Sequence, residues 1–445
     1  MPETFDLLLK GGTVVNQDGG ILTDVAVRDG RIAGLGSFPA GRAEIELDAG
    51  GLHVLPGVID SQVHFREPGA EHKEDLETGS RAAVMGGVTA VFEMPNTNPQ
   101  TTTAEALADK LARARGRMHC DFAFFIGGTA ENADLLPELE RLPGCAGVKV
   151  FIGSSTGSLL VEDDENLERI LRVIRRRASF HAEDEFRLRA RKGEQRPGDP
   201  SSHPMWRDVE AARLATERLL RASRRTGARV HVLHISTADE LPLLAANRDL
   251  ATVEVTPQHL TFSGPEVYKR WGNLAQMNPP LREPHHAAAL WRAVRSGLVD
   301  VLGSDHAPHT LAEKEKPYPQ SPSGMPGVQT LVPVMLDHVN AGRLSLERFV
   351  DLTSHGPARL FGIAGKGRIA EGYDADFTVV DMKARRTITN AWMANRSNWT
   401  TFDGREVMGW PVATILRGRI VMRDGELVGP SSGRPVRFFE GLPPK

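Results

Sequence analysis

The sequence predicts an α/β protein, a (β/α)8 TIM-type barrel accompanied by a small β domain. Three observations support this prediction. Apolar runs of strand length alternate with helical patterns through the middle of the 445-residue chain. The runs number eight, and eight parallel strands close a barrel. Both ends of the chain are instead rich in short strands broken by glycine turns, and such ends can pair because chain termini often lie close together.

The apolar runs predict the barrel strands one by one. They begin with LPGVID at residue 55 and continue as GVTAVFEM, CDFAFFIGG, AGVKVFIG, RASFHA, ARVHVLHI, LATVEVT and LVDVLGSD. Segments such as TAEALADKLARARG and DENLERILRVIRRR lie between them and have the period of an amphipathic helix. We therefore predict the N-terminal part of the small β domain at 1–54, the barrel at 55–365 and the C-terminal part of the β domain at 366–445.

The composition limits the classes of function. Charged residues make up 25% of the chain and the formal net charge is −3, which gives no electrostatic reason to expect nucleic acid or an acidic membrane as a partner. No window approaches the length of an uncharged membrane span, and the first residues lack the pattern of a signal peptide. Cys120 and Cys145 are too few for a disulfide scaffold. These features predict a cytoplasmic protein.

Chemically active side chains occur at the carboxyl ends of the predicted strands. They are His64, Lys149, His181, His234 and Asp305. Each one alone is more often a core, edge or capping residue, but together they would converge on one barrel mouth. Imidazole and carboxylate suit Zn²⁺, and two nearby ions form a hydrolytic site. A buried lysine needs a reason, and carbamylation by carbon dioxide, which makes it an anionic bridging ligand, is one.

Several motifs resemble the amidohydrolase superfamily and, within it, the dihydroorotase family. They are PGVIDSQVHFREPG, MPNTNPQT, GVKVFIGSSTG, FHAEDE, HVLHIST, NPPLR and GSDHAPHTLAEKE, and they extend over nearly the full chain. The resemblance implies that the small domain is a β-sandwich formed from both termini. It also implies a metal-dependent hydrolase of pyrimidine biosynthesis, which interconverts L-dihydroorotate and N-carbamoyl-L-aspartate.

The resemblance implies a role for each site residue. The implied metal ligands are His64, carboxylated Lys149, His181, His234 and Asp305. Asp305 would also move the proton in the reaction. Gln62 occupies the first position of the family pattern His-x-His, and an amide oxygen is a weak Zn²⁺ ligand compared with imidazole. We therefore expect one or two Zn²⁺ ions. The implied substrate-binding residues are Arg66, Asn96 and His309 at the carboxylate and Asn278 at the ring edge.

Other residues of the same region receive structural or covering roles. We expect His231 to pack in the core and His306 to be a structural residue that points away from its neighbours. Leu311–Gly327 is predicted to be a lid, with Gly324 and Gly327 allowing its movement. The loop at 191–206 lies near the mouth, and its role is open.

Two alternatives remain open at the level of the sequence. The first is an allantoinase or a dihydropyrimidinase-type cyclic amidase. Arg66 discriminates against it because a guanidinium recognises a carboxylate as a planar fork, unless Arg66 forms a salt bridge to Glu67 or Glu71 instead. The second is a non-catalytic dihydroorotase-like scaffold for the transcarbamoylase, which only Gln62 favours. The resemblance also implies a homo-oligomer and leaves an association with aspartate transcarbamoylase open.

Overall fold

The computed structural model describes residues 4–38, 42–155 and 159–441. The end of the GVKVFIGSSTG motif therefore lies partly outside the described residues. The strands are β1 (Thr4–Asn16), β2 (Gly19–Arg28), β3 (Arg31–Gly36), β4 (Arg42–Asp48), β5 (His53–Pro56), β6 (Val58–Val63), β7 (Val88–Glu93), β8 (Asp121–Gly127), β9 (Cys145–Phe151), β10 (Ala178–His181), β11 (Val230–Val232), β12 (Ala251–Val255), β13 (Val301–Leu302), β14 (Phe377–Thr387), β15 (Glu406–Leu416), β16 (Arg419–Arg423) and β17 (Glu426–Leu427).

The central sheet is a parallel barrel. Within the described ranges it runs from β6 to β13 in chain order, each strand pairing in parallel with the next. A parallel bridge between Val63 and His306 joins the last strand region to the first, and the N–H of His64 donates to the carbonyl of His306 at 2.7 Å. The predicted fold class is confirmed.

The first predicted barrel strand is wrong at its beginning. Leu55 and Pro56 belong to β5 and pair with β14 of the other sheet, and the barrel strand starts at Val58. Gly57 separates the two strands, and a Cβ at this position would lie 2.2 Å from Oγ1 of Thr89. An unbroken apolar run cannot reveal such a change of sheet, because strands in both sheets are buried.

The helices pack around the barrel. They are α1 (Leu76–Met85), α2 (Ala104–Ala114), α3 (Leu136–Leu139), α4 (Asp164–Val173), α5 (Glu185–Ala190), α6 (His203–Trp206), α7 (Val209–Thr226), α8 (Leu241–Ala245), α9 (Pro257–Thr261), α10 (Glu266–Trp271), α11 (Pro284–Ser296), α12 (Leu311–Lys314), α13 (Leu331–Asn340), α14 (Leu346–Val350) and α15 (Gly356–Phe361). The helix α7 begins and ends at residues that are typical of helix caps. The side chain of Asp208 caps its first turn, and Gly227 ends it with a φ of 74°.

The second sheet combines the two ends of the chain. Its strand order in the described residues is β17-β16-β15-β14-β5-β1-β2-β3, with β4 paired to β1. The antiparallel pairing of β5 with β14 joins the two ends. The sheet has its own apolar cluster, which includes Leu7, Val25, Phe377 and Ile415. The predicted pairing of the ends is observed, whereas the domain boundaries at 54 and 365 stay a prediction.

The membrane and cysteine predictions can be compared with the structure. In the described part of the chain, none of the helices has both the length and the apolarity that a membrane crossing needs. Cys120 and Cys145 are both buried, and both are free thiols.

A buried ion cluster connects the barrel to the terminal sheet. Nζ of Lys366 donates to Asp121 of β8 at 2.7 Å and also contacts the carboxylate of Asp376, which directly precedes β14. Burial would lower the pKa of Lys366, but the charges of Asp121 and Asp376 raise the pKa above its ordinary value. The lysine therefore stays charged and holds two buried carboxylates.

Replacing Lys366 with methionine is expected to lower the free energy of unfolding by about 3–5 kcal/mol, because it leaves the buried carboxylate of Asp376 without its cation, while Asp121 keeps its ion pair with Arg417. Urea unfolding followed by circular dichroism measures the change. The exposed Lys383 offers the control, and Lys383→Met should change stability by less than about 0.5 kcal/mol. A Lys366→Met protein as stable as the parent would contradict this role of the cluster.

Candidate active site

The predicted site residues meet at the carboxyl ends of the barrel strands. One small cavity lies there. Its lining includes Gln62, His64, Arg66, Asn96, Lys149, His181, His234, Asn278 and Asp305. His309 lies directly behind Arg66, with Nε2 at 3.3 Å from Nη2 of the arginine. The structure thus brings the predicted set together, while the role of each member stays a prediction.

Three of these residues have a left-handed backbone. The φ angle is 65° at Arg66, 39° at His234 and 45° at Asp305. A non-glycine residue in this region costs on the order of 1–3 kcal/mol, and such residues cluster at functional sites where the surrounding structure enforces them. The barrel mouth therefore stores backbone strain where the chemically active side chains lie.

His181 and His234 form the closest pair of potential metal ligands. Nδ1 of His181 lies 3.1 Å from Nε2 of His234. Nε2 of His181 donates to Glu183 at 3.0 Å, so its Nδ1 carries a lone pair. Burial lowers the pKa of both imidazoles, which are therefore neutral. The spacing matches two nitrogens on one tetrahedral zinc ion, since Zn–N bonds of about 2.0–2.1 Å separate such ligands by roughly 3.3 Å.

A second group of acceptors contains His64, Asp305 and Gln62. Nδ1 of His64 lies 2.8 Å from Oδ1 of Asn96 and donates to it, which leaves a lone pair on Nε2. This Nε2 lies 3.4 Å from Oδ1 of Asp305. Nε2 of Gln62 donates to the same carboxylate oxygen at 3.1 Å, and the buried amide oxygen of Gln62 makes no hydrogen bond within the described residues. Two facing acceptors favour a proton or a cation between them.

Lys149 lies among these acceptors. It is 1% exposed, and its Nζ makes no hydrogen bond to any residue that the structure describes, but it lies 4.4 Å from the ring centre of Phe151. Burial lowers its pKa to about 7. A neutral amine is the form that reacts with carbon dioxide, so this environment suits carbamylation.

The donor set fits a metal ion on one condition. Among the described residues, no three His, Cys, Asp or Glu side chains are close enough to hold a metal ion by themselves. An unmodified ammonium at Lys149 would also repel a cation. A carboxylated Lys149 removes that charge and adds two oxygens among the imidazoles and Asp305. The site therefore fits a metal when Lys149 contributes as a carboxylate.

Arg66 has no carboxylate partner in the described chain. It is 6% exposed, its Nε donates to the carbonyl of Pro308 at 3.1 Å, and burial lowers its pKa to about 10, so it stays charged. Glu67 pairs instead with Arg117 at 2.7 Å, and Glu71 accepts from the N–H of Gly69. The salt bridge considered from the sequence is therefore wrong. A buried guanidinium without a carboxylate beside a cavity suits an anionic ligand.

The predicted lid covers this cavity. Ser323 and Gly324 line it, and the carbonyl of Ser323 accepts from Nε2 of His309 at 3.0 Å. Lys314 fixes the segment by donating to the carbonyls of Pro322 and Gly324. Opening of the lid stays a prediction.

The loop at 191–206 lies against the lid. The N–H of Gly198 donates to the carbonyl of Tyr318 at 2.8 Å. From the same loop, Nε2 of His203 lies 3.0 Å from Oδ1 of Asn278. The loop therefore supports both the lid and one predicted substrate-binding residue.

Sequence reasoning missed two residues that hold His181. Glu183 accepts from His181 and contacts the guanidinium of Arg207. Burial opposes ionisation of Glu183, but the charge of Arg207 and the hydrogen bond from His181 lower its pKa to about 2. Glu183 had a signal, because it lies two residues after His181 in FHAEDE and so shares its side of an extended segment. Arg207 had none.

His231 and His306 make structural hydrogen bonds, as expected. Nδ1 of His231 lies 2.9 Å from Oγ1 of Thr252 on the neighbouring strand. Nδ1 of His306 accepts from the N–H of Gly327 at 3.1 Å, which fixes the end of the lid. Neither histidine lines the cavity.

Comparisons with known proteins show which families the chain resembles. Residues 210–421 match the model of the amidohydrolase family, and residues 51–135 match that of the dihydro-orotase-like family. The chain is 35% identical to a dihydroorotase of Methanothermobacter thermautotrophicus, covering 95% of this chain and 96% of the relative. It is 37% identical to a dihydroorotase of Halobacterium salinarum, covering 94% and 98%.

A solved structure is also similar over almost the whole chain. It is an L-hydantoinase (dihydropyrimidinase) from Arthrobacter aurescens, with a TM-score of 0.93 and 31% identity, covering 97% of this chain and 100% of that one. The sequence relatives, the matching family models and the barrel mouth agree with the resemblance seen in the motifs. The chain therefore belongs to the dihydroorotase family of amidohydrolases.

Proposed function

We propose that this cyclic amide hydrolase is a dihydroorotase that interconverts L-dihydroorotate and N-carbamoyl-L-aspartate. The observation that carries the proposal is Arg66, a buried guanidinium at the cavity without a carboxylate partner in the described chain. Both compounds carry a carboxylate that can occupy this position. The similarity to archaeal dihydroorotases over more than nine-tenths of the chain supports the same substrate.

The proposed cofactor is one or two Zn²⁺ ions, in keeping with the metal dependence of this family. The residues that would hold them are His64, carboxylated Lys149, His181, His234 and Asp305. When bound, the metal supplies positive charge that polarises the ring amide carbonyl and acidifies water. Gln62 weakens the His64 side of the site, so we propose that the ion near His181 and His234 binds more tightly.

Residues of the chain would bind the substrate, transfer the proton and exclude water. Arg66, Asn96 and His309 would hold the substrate carboxylate, and Asn278 the edge of the ring. Asp305 would accept a proton from the attacking water and return it to the departing ring nitrogen, which balances the hydrolysis. Burial raises the pKa of Asp305 to about 7 in the metal-free site, and a bound cation would lower it again and favour the ionised carboxylate that accepts the proton. The lid would exclude water during ring closure.

A panel of three substrates tests the proposed function. The expected result is a kcat/KM for dihydroorotate at least about 100-fold above that for hydantoin or dihydrouracil, because neither of these rings bears a carboxylate to pair with Arg66. The similarity to L-hydantoinase makes hydantoin the necessary comparison. Preferred turnover of hydantoin or dihydrouracil would overturn the proposal in favour of another cyclic amidase.

Replacing Gln62 with histidine is expected to raise the amount of tightly bound metal by about one ion per chain. An imidazole at this position would supply the missing nitrogen ligand beside His64, where the amide binds zinc weakly. Metal analysis after dialysis measures the change. Replacing Gln17, which is remote from the mouth, with histidine is the control. Equal metal content in the Gln62→His protein and its parent would show that Gln62 does not limit the site.

Replacing Glu183 with glutamine is expected to weaken metal binding about 10–100-fold, because the carboxylate orients His181 through its Nε2. A competition titration with a chelating dye measures the affinity. The exposed Glu165 provides the matched control, since Glu165→Gln removes one carboxylate without touching the mouth. An unchanged affinity in Glu183→Gln would contradict this positioning role.

The cellular location and the oligomeric state are also proposals. We propose a homo-oligomer in the cytoplasm, and we leave the association with aspartate transcarbamoylase as a prediction to be tested by co-purification. The oligomer and the transcarbamoylase association rest on the family resemblance, and the cytoplasmic location rests on the sequence composition.

A further inference from the structure

A second cavity opens at the amino-terminal ends of the barrel strands, on the face opposite the catalytic mouth. Four arginines of the described chain line it, namely Arg176, Arg177, Arg229 and Arg359. Arg177 directly precedes β10 and Arg229 directly precedes β11, and the following residues, Ala178 and Val230, are paired in the sheet. Neighbouring strands lie about 4.8 Å apart, so these two arginines begin side by side.

Their charges are poorly neutralised. Arg177 uses Nη1 to donate to the carbonyls of Val230 and Leu250, each at 2.8 Å. Its Nε and Nη2 make no hydrogen bond within the described residues, and neither Arg177 nor Arg229 forms an ion pair with any described carboxylate. Three N–H donors of Arg177 are therefore left for a ligand or for water.

Two nearby carboxylates offset only part of this positive charge. Asp300 lies 3.7 Å from Arg359 but already receives two hydrogen bonds from Arg248. Glu440 also lines the cavity and lies 3.8 Å from Arg176, so it offsets one of the four arginine charges, although half of its side chain is exposed. Burial, followed by the charges of neighbouring arginines, lowers the pKa of Arg177 to about 10. The cavity thus keeps a net positive charge, which a bound anion would relieve.

The same cavity has an aromatic side. Phe361, Phe438 and Phe439 line it together with the arginines, and Phe439 is 65% exposed. The guanidinium of Arg176 lies 4.5 Å from the ring centre of Phe438. Guanidinium groups bind phosphate through paired N–H donors, and an exposed phenyl ring offers a surface on which a flat ring can stack.

We propose that this cavity is a binding site for a small phosphate ester that carries an aromatic ring, of the nucleoside monophosphate class. The phosphate would contact Arg177, Arg229 and Arg359, and the ring would lie against Phe439. The inference goes beyond the proposed function, because the cavity and the catalytic mouth share no lining residue.

Isothermal titration calorimetry on the full chain at low salt tests the proposal. The probes are adenosine monophosphate, uridine monophosphate, inorganic pyrophosphate and adenosine, which lacks a phosphate. We expect saturable binding of both monophosphates and at least about tenfold weaker binding of adenosine. Absence of saturable binding of the monophosphates up to about 1 mM would overturn the proposal.

Exposed arginines provide the variants, because their replacement leaves the core intact. Arg229→Gln and Arg359→Gln are each expected to weaken binding of the monophosphates about tenfold. Arg385→Gln, an exposed arginine of the terminal sheet, should leave binding unchanged, as should Arg66→Met at the catalytic mouth. If Arg385→Gln weakened monophosphate binding as much as Arg229→Gln does, or if Arg66→Met weakened it, the ligand would bind elsewhere. Either result would overturn the proposal.

Phe439→Ala distinguishes the contribution of the aromatic ring to binding from that of the phosphate. The substitution should weaken binding of the monophosphates and leave binding of pyrophosphate unchanged. If pyrophosphate binds as tightly as the monophosphates and Phe439→Ala has no effect on any probe, the aromatic part of the proposal is wrong. Circular dichroism melting of every variant confirms that each one is folded.

Discussion

Replacing Arg66 with methionine is expected to lower kcat/KM for dihydroorotate and for N-carbamoyl-L-aspartate by about 10²–10³-fold. The guanidinium is buried and has no carboxylate partner in the described structure, so the substrate carboxylate would lose its main cation in a site with little water. Removing one member of a buried charged pair costs about 2–5 kcal/mol, which corresponds to this range. Steady-state kinetics in both directions measure the loss.

Three controls separate substrate recognition from damage to the site. Metal content should be unchanged in Arg66→Met, because Arg66 is not a proposed ligand. Arg66→Lys should recover part of the activity, since it keeps the charge but loses the planar fork. Arg189→Met, at an exposed arginine of α5, should act like the parent. Full activity of Arg66→Met would show that the carboxylate binds elsewhere and would remove the main support for the substrate.

Replacing Asp305 with asparagine is expected to lower kcat by about 10³-fold or more. The amide keeps the shape of the side chain but cannot carry the proton from water to the departing nitrogen, a step worth about 10²–10⁴-fold. It is also a weaker metal ligand than the carboxylate. Single-turnover kinetics with dihydroorotate measure the chemical step.

The exposed Asp109 of α2 is the matched control, and Asp109→Asn should keep the activity of the parent. KM in Asp305→Asn should change less than kcat, because the carboxylate is proposed to act on the reacting atoms and not on the substrate carboxylate. Activity within about fivefold of the parent would exclude Asp305 as the proton carrier.

The barrel was predictable because parallel strands are buried on both faces and read as continuous apolar runs. Helix caps such as Asp208 and Gly227 are also local signals. The beginning of the first strand was misplaced because β5 and β6 are both apolar and a single residue, Gly57, lies between them. Sheet membership depends on contacts with β14, more than three hundred residues away in the chain.

The candidate site was predictable where its residues follow strands. His181 and His234 converge because the carboxyl ends of barrel strands share one mouth. Arg207 comes from a loop and approaches Glu183 only in the folded chain, so no spacing in the sequence indicates it. The four arginines of the second cavity have the same character. Arg177 and Arg229 are neighbours because β10 and β11 start side by side in the sheet, and Arg359 joins them from α15, although these three residues are far apart in the chain.

The most direct test of the proposed function is a paired measurement on one preparation of the purified chain. Metal content is determined by mass spectrometry, and conversion of N-carbamoyl-L-aspartate to dihydroorotate is followed in the same sample. We predict at least one divalent ion per chain and reversible turnover that a chelator abolishes and Zn²⁺ restores. A folded protein with neither metal nor turnover would contradict the enzyme and leave the non-catalytic scaffold as the remaining interpretation.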